Sequence, residues 1–190
     1  DVDRSRGLGD VYKRQPISLD AIGLNVTAMD IFREVTRMTW RLKSSIRGQI
    51  ENIQQHLSLP ETYGAIHIRS GDKIKEAKPF THHAYIEQLQ ARADVEGIFV
   101  LTDDYNNFRQ LVQDYPEFKF YTLEREHQTG YYHRVNKRRS RNEKQLDYLN
   151  FLASIEIAAT AKTYVGTFSS NVSTFLRIRM DEHKCHAVDR

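Results

Sequence analysis

Between Thr27 and Leu59 the apolar residues Ile31, Val35, Met38, Leu42, Ile46, Ile50, Ile53 and Leu57 recur at helical spacing. They draw one stripe of a long amphipathic helix. Gly48 weakens or bends it, and Pro60 stands just beyond its end. The pattern then changes period. Tyr63-Gly64-Ala65-Ile66-His67-Ile68-Arg69 reads as a strand with a polar end, and a helix is expected from Phe80 to Ala93 after Pro79. Gly97-Ile98-Phe99-Val100-Leu101-Thr102 is a continuous apolar run of strand length, as in a buried parallel strand.

The alternation continues to the end of the chain. A helix is expected over Asn106–Asp114, a strand over Phe118–Leu123, and a polar, poorly periodic loop over Arg125–Gln145. Glu143–Thr160 reads as a helix, Thr163–Phe168 as a strand, Ser170–Glu182 as a helix and His186-Ala187-Val188 as a last short strand. Strands alternating with helices mean parallel strands joined by crossover helices. The expected fold is α/β, a Rossmann-like open parallel sheet with flanking helices.

Composition narrows the class. The 190 residues are 39% hydrophobic and 28% charged, enough apolar content for a core in one domain of ordinary size. A net charge of +3 suits a polyanionic ligand such as a nucleotide and does not by itself indicate nucleic acid. Cys185 is the single cysteine, which excludes an internal disulfide framework. No apolar run reaches the ~18 residues of a membrane-spanning helix. Residues 1–15 read unlike the rest, and Asp10-Val11-Tyr12-Lys13-Arg14-Gln15 resembles a translated sequencing adaptor. They are set aside as an artefact or a flexible terminus, with 16–26 as a linker and 27–190 as the domain.

Ligands of open α/β sheets bind beyond the carboxyl ends of the strands. Three such ends are polar here: His67-Ile68-Arg69-Ser70-Gly71-Asp72-Lys73, Thr102-Asp103-Asp104, and Thr167-Phe168-Ser169-Ser170-Asn171. Arg69 offers a planar fork that matches phosphate oxygens, and Lys73 adds a mobile point charge. Gly71 lets the backbone approach a ligand closely. Ser169 and Ser170 sit where a strand turns into a helix, a place that favours an anion or simple N-capping. Arg69 either binds phosphate or pairs with Asp72 or Asp103.

The first cluster resembles the H-x-R-R-T-D-K motif of α1,6-fucosyltransferases and their nodulation-protein relatives. Glu76-Ala77 follows it, Thr102-Asp103-Asp104 closes the next strand, and Val165-Gly166-Thr167-Phe168-Ser169-Ser170-Asn171-Val172 is similar to the family's T-F-S-S-Q-V block. With the long leading helix, the likeness runs from about Asp30 to the C-terminus. It implies the C-terminal, donor-binding half of a GT-B-like transferase, with GDP-fucose as donor and a glycan or glycoprotein hydroxyl as acceptor. A further N-terminal lobe would complete the enzyme. Arg69 would bind the GDP phosphates with His67 in support, and Ser169, Ser170 and Asn171 would contact phosphates or ribose. Asp72 and Lys73 would organise the loop. Glu76 would be the general base of an inverting transfer, oriented by Asp103 and Asp104. No cofactor and no metal are implied.

The pattern departs from the family in places. Ser70 stands where the motif has a second arginine, and Gly71-Asp72 resembles the H-V-R-R-G-D of α1,2-fucosyltransferases. The loop from Lys73 to Glu76 is one residue shorter. An aspartate expected to contact guanine is absent at Ser154, and Glu156 is the nearest substitute. The resemblance implies the Golgi lumen in a eukaryote and the cytoplasm in a bacterium, and the sequon at Asn25-Val26-Thr27 is compatible with the former. Two other readings remain. A nucleotide-sugar-binding domain without catalysis is consistent with Ser70. A nucleic-acid-binding module would use Lys137-Arg138-Arg139-Ser140-Arg141 with Tyr131, Tyr132 and His133, although such a run is commonly a solvated loop.

Overall fold

The computed structural model describes residues 16–19, 24–70 and 80–189. It divides into two compact units, residues 1–42 and 43–190, so the expected single domain from residue 27 is split at Leu42. In the first unit β1 (Pro16–Leu19) pairs antiparallel with β2 (Leu24–Thr27). The segment expected as a linker is therefore a two-stranded ribbon, in a register that sets Ile17 opposite Val26 and Leu19 opposite Leu24. Thr27 closes the ribbon and starts α1 (Ala28–Thr39) with a capping box, its Oγ1 accepting from Asp30 N at 3.1 Å while Asp30 accepts from Thr27 N at 2.9 Å.

The long helix expected over 27–59 is two helices, α1 and α2 (Ser44–Leu57). The break falls at Trp40–Lys43 and not at Gly48. Thr39 turns its hydroxyl back onto Val35 O (2.7 Å), a bond that loosens a helix, and Ser44-Ser45 supply residues at home in a first turn.

The second unit holds a five-stranded, all-parallel sheet in the order β5-β4-β3-β6-β7. Its strands are β3 (Tyr63–Ile68), β4 (Gly97–Thr102), β5 (Phe120–Tyr121), β6 (Thr163–Gly166) and β7 (Cys185–Ala187). The connections run through α3 (His82–Gln90), α4 (Tyr105–Asp114), α5 (His133–Arg138) with α6 (Arg141–Thr160), and α7 (Asn171–Arg179). All six residues of β4 are buried, as its unbroken apolar run requires of a strand covered on both faces. Ile66, Ile68, Ile98, Val100 and Val165 of the sheet pack with Ile86, Leu89 and Leu111 of the helices. Each such side chain contributes roughly 1.5–3 kcal/mol on full burial.

One feature of this topology places the site. From β3 the chain moves outward through β4 to β5, then returns to lay β6 on the other flank of β3. The strand order reverses between β3 and β6, and a crevice opens at such a point outside the carboxyl ends. The strand ends are staggered to match, with Ile68 level with Thr102 and His67 level with Gly166.

Candidate functional site

A cleft of about 670 Å³ opens over this reversal, within the range of small-molecule sites. His67 and Arg69 from the end of β3, Asp103 from the end of β4, and Ser170, Asn171 and Val172 from the start of α7 all line it. Its far wall is the segment Glu124–Tyr132 with α5, and one face of α6 that carries Asp147, Tyr148, Phe151 and Ser154.

Beneath the floor, behind His67, lies a buried relay of hydroxyl and imidazole. His67 Nδ1 lies 3.1 Å from Ser173 Oγ, which lies 2.7 Å from the Tyr164 hydroxyl, and all three residues are buried. Burial, reinforced by the Arg69 charge, lowers the His67 pKa to about 3, so the imidazole is neutral. Gly166 makes room for the relay: a Cβ there would come within 2.5 Å of the Tyr164 hydroxyl and 2.6 Å of Ser173 Oγ.

Asp103 is the hub of the upper wall. It pairs with Arg69 Nη1, accepts from Ser70 N at 2.8 Å, and accepts from Tyr131 N at 2.9 Å. Gly130 N donates to its carbonyl at 2.8 Å, so this one residue ties the loop after β3 to the segment that forms the far wall. The Arg69 guanidinium also lies over the Tyr131 ring, 5.8 Å from its centroid. The ion pair foreseen as one alternative for Arg69 is thus formed with Asp103. Ser70 is buried, and Asn107 Nδ2 donates to its hydroxyl at 2.8 Å.

Several expected residues lie elsewhere. Asp104 caps α4, accepting from Asn106 N at 3.0 Å, and is not among the described lining residues. Ser169 is exposed outside the cleft, and its N–H and that of Phe168 both donate to Asp189, at 2.9 and 2.8 Å. A carboxylate of the chain itself therefore occupies the amides ahead of α7, and the cleft meets the helix one residue later, at Ser170. Glu156 pairs with Arg179 (2.5 and 3.1 Å) and does not line the cleft, whereas Ser154 does. Asp72, Lys73 and Glu76 lie outside the described residues. The basic run is divided: Lys137 and Arg138 end α5, Arg139 pairs with Asp147, and Ser140 forms a capping box with Glu143 at the start of α6. Among the described residues no His, Cys, Asp and Glu group is arranged to hold a metal ion.

Glu124 was not foreseen. Burial first, then the charges of Asp103 and Asp147, raise its pKa to about 8. Its sequence signal was its place just past β5, the same rule that singled out Arg69 and Asp103. The aromatic wall of Tyr148 and Phe151 carried no comparable mark, since aromatic residues at helical spacing read first as core.

No family model matches the sequence, and no curated protein matches it. Among solved structures the chain is similar to one described as the crystal structure of NodZ alpha-1,6-fucosyltransferase soaked with GDP-fucose. The TM-score is 0.56 at 15% identity over 78% of this chain and 47% of that one. The chain thus spans about half the length of that protein. The five-stranded parallel sheet with its flanking helices is a fucosyltransferase-like fold.

Proposed function

We propose that the chain is the nucleotide-sugar-binding lobe of an inverting glycosyltransferase, with GDP-fucose as donor and a glycan or glycoprotein hydroxyl as acceptor. One observation carries the reading. Arg69 and the first turn of α7 face one cleft from opposite sides of the strand-order reversal. A guanidinium fork and a helix N-terminus without a side-chain cap form a fitting pair for a diphosphate. The fold shared with a structure soaked in GDP-fucose supports the choice of donor. Tyr148 and Phe151 offer flat faces to the base, and Ser154 a hydroxyl at its edge. In this reading a second lobe closes the cleft and brings the acceptor, and Glu76 or another carboxyl takes the hydroxyl proton.

Thermal unfolding with GDP, GDP-fucose and a single-stranded RNA tests the reading. GDP and GDP-fucose are expected to raise the midpoint, and Arg69→Ala to abolish the rise while circular dichroism shows the fold retained. A response to RNA with none to GDP overturns it. Ser70, buried against Asn107 with no charge to offer, favours one second reading, a lobe that binds the nucleotide sugar without transferring it. Fucose transfer by a longer form of the protein, lost in Arg69→Ala, excludes that alternative.

A further inference from the structure

Among the described residues, every Asp, Glu, Lys and Arg side chain on the cleft wall but one has a partner in the chain. Asp103 is held by Arg69 and two backbone N–H groups, and Asp147 by Arg139. Glu143 is occupied by the Ser140 cap, and Lys144 Nζ donates to Lys137 O at 3.0 Å. Glu124 is the exception: among the described residues no hydrogen bond or ion pair reaches its carboxyl. Its backbone is nonetheless fixed. Glu124 N donates to Thr122 Oγ1 at 3.2 Å, and Thr122 Oγ1 donates to Val100 O at 2.9 Å, which anchors the residue to β4.

The groups acting on this carboxyl come from three elements. Asp103 at the end of β4 and Asp147 on α6 repel its charge, and Arg125 beside it in the chain attracts it less strongly. His127, from the same segment, lines the cleft further along. A third negative charge within reach of two carboxylates whose arginines are already engaged is unfavourable, and it would repel an anion entering the cleft. A neutral carboxyl has the opposite effect, because its O–H donates to acceptor oxygens.

We infer that Glu124 carries a proton and donates it as a hydrogen bond to an anionic oxygen of the ligand bound in the cleft. Anion binding then holds on to a proton that the empty chain releases in mild alkali. The inference rests on the nucleotide reading, in which the anion is the diphosphate. The raised pKa of Glu124, about 8, agrees with it.

Two measurements test it, on the whole chain and on Glu124→Gln, whose amide still donates but cannot ionise. The first is GDP affinity at about pH 7 and about pH 9. The parent is expected to lose up to about tenfold as the protonated fraction falls, and the variant to stay level; their ratio cancels the ionisation of the base itself. Equal pH dependence in the two chains overturns the inference and leaves the nucleotide reading standing. Absence of GDP binding at either pH overturns that reading and the inference with it.

The second measurement needs no ligand. A carboxyl whose pKa is raised by folding contributes stability in full below its unfolded value and loses it as pH rises through about 8. The urea midpoint of Glu124→Gln should therefore gain on the parent between about pH 5 and about pH 8.5. A constant difference across that range means that the carboxyl is already ionised, and the inference falls.

Discussion

Ser173→Ala removes one oxygen from the relay beneath the cleft and leaves two buried groups without their shared partner. Ser173 is fully buried, as are Tyr164 and, within 3%, His67, so water does not readily replace the lost hydroxyl. An intramolecular hydrogen bond contributes about 1 kcal/mol net, and a buried donor or acceptor left unmade costs ~1–3 kcal/mol. With two groups stranded, the expected loss is about 2–4 kcal/mol. Tyr164→Phe removes the phenol itself and leaves the Ser173–His67 bond, so it should cost only about 1 kcal/mol. The double variant has no stranded phenol and should be less destabilised than the two single effects summed, with a coupling of about 1 kcal/mol. Urea unfolding at neutral pH, with the slope unchanged between variants, gives all four free energies. Two results refute the reasoning: a Ser173→Ala loss below about 0.5 kcal/mol, or strict additivity with Tyr164→Phe. Either means that the hydroxyls do not form a relay under His67.

The same relay responds to added bulk. Gly166→Ala would drive a methyl into the Tyr164 and Ser173 hydroxyls, and thermal unfolding should report a loss of about 1–3 kcal/mol, against no loss if the relay merely shifts aside. At the outer wall, Ser140→Ala deletes the capping box that starts α6 and should cost about 1 kcal/mol. Hydrogen exchange should then quicken in the first turns of α6, towards Asp147 and Tyr148, and leave β4 unchanged.

Much of the fold was legible because its signals are local and strong. The run Gly97–Thr102 has no charged residue and is apolar without a break from Ile98 to Leu101, so strand, burial and parallel pairing follow together. The helix over Thr27–Leu59 misled for a related reason: periodicity records which face is apolar, and the stripe continues unbroken through Trp40–Lys43, where the backbone does not. Thr39 marks that break with a side-chain hydrogen bond to Val35 O, which no count of apolar positions registers. Strand-end logic singled out His67, Arg69, Asp103 and Ser170, which line the cleft. It could not foresee that Asp189, near the other end of the sequence from β3, takes the amides of Phe168 and Ser169. Nor does it say which of two adjacent aspartates caps a helix and which holds an arginine; Asp104 and Asp103 differ only in which way the chain has turned by then.

That division of labour bears on how the cleft meets an anion. Arg69 and Arg139, the arginines lining it, each engage a carboxylate of the chain. A phosphate reaching Arg69 would therefore compete with Asp103 for the guanidinium. Asp103 does not need the arginine to remain in place, because Ser70 N and Tyr131 N also hold it. Arg69 can then swing part of its fork to a diphosphate while the wall stays fixed. The exchange leaves Asp103 with less cationic compensation, and that negative charge acts on Glu124, already under its influence. Engagement of Arg69 by a ligand thus strengthens the hold of Glu124 on its proton. On the proposed reading the guanidinium and the protonated carboxyl would act on an anion as one coupled pair, so removing either should weaken binding by more than its own hydrogen bonds account for.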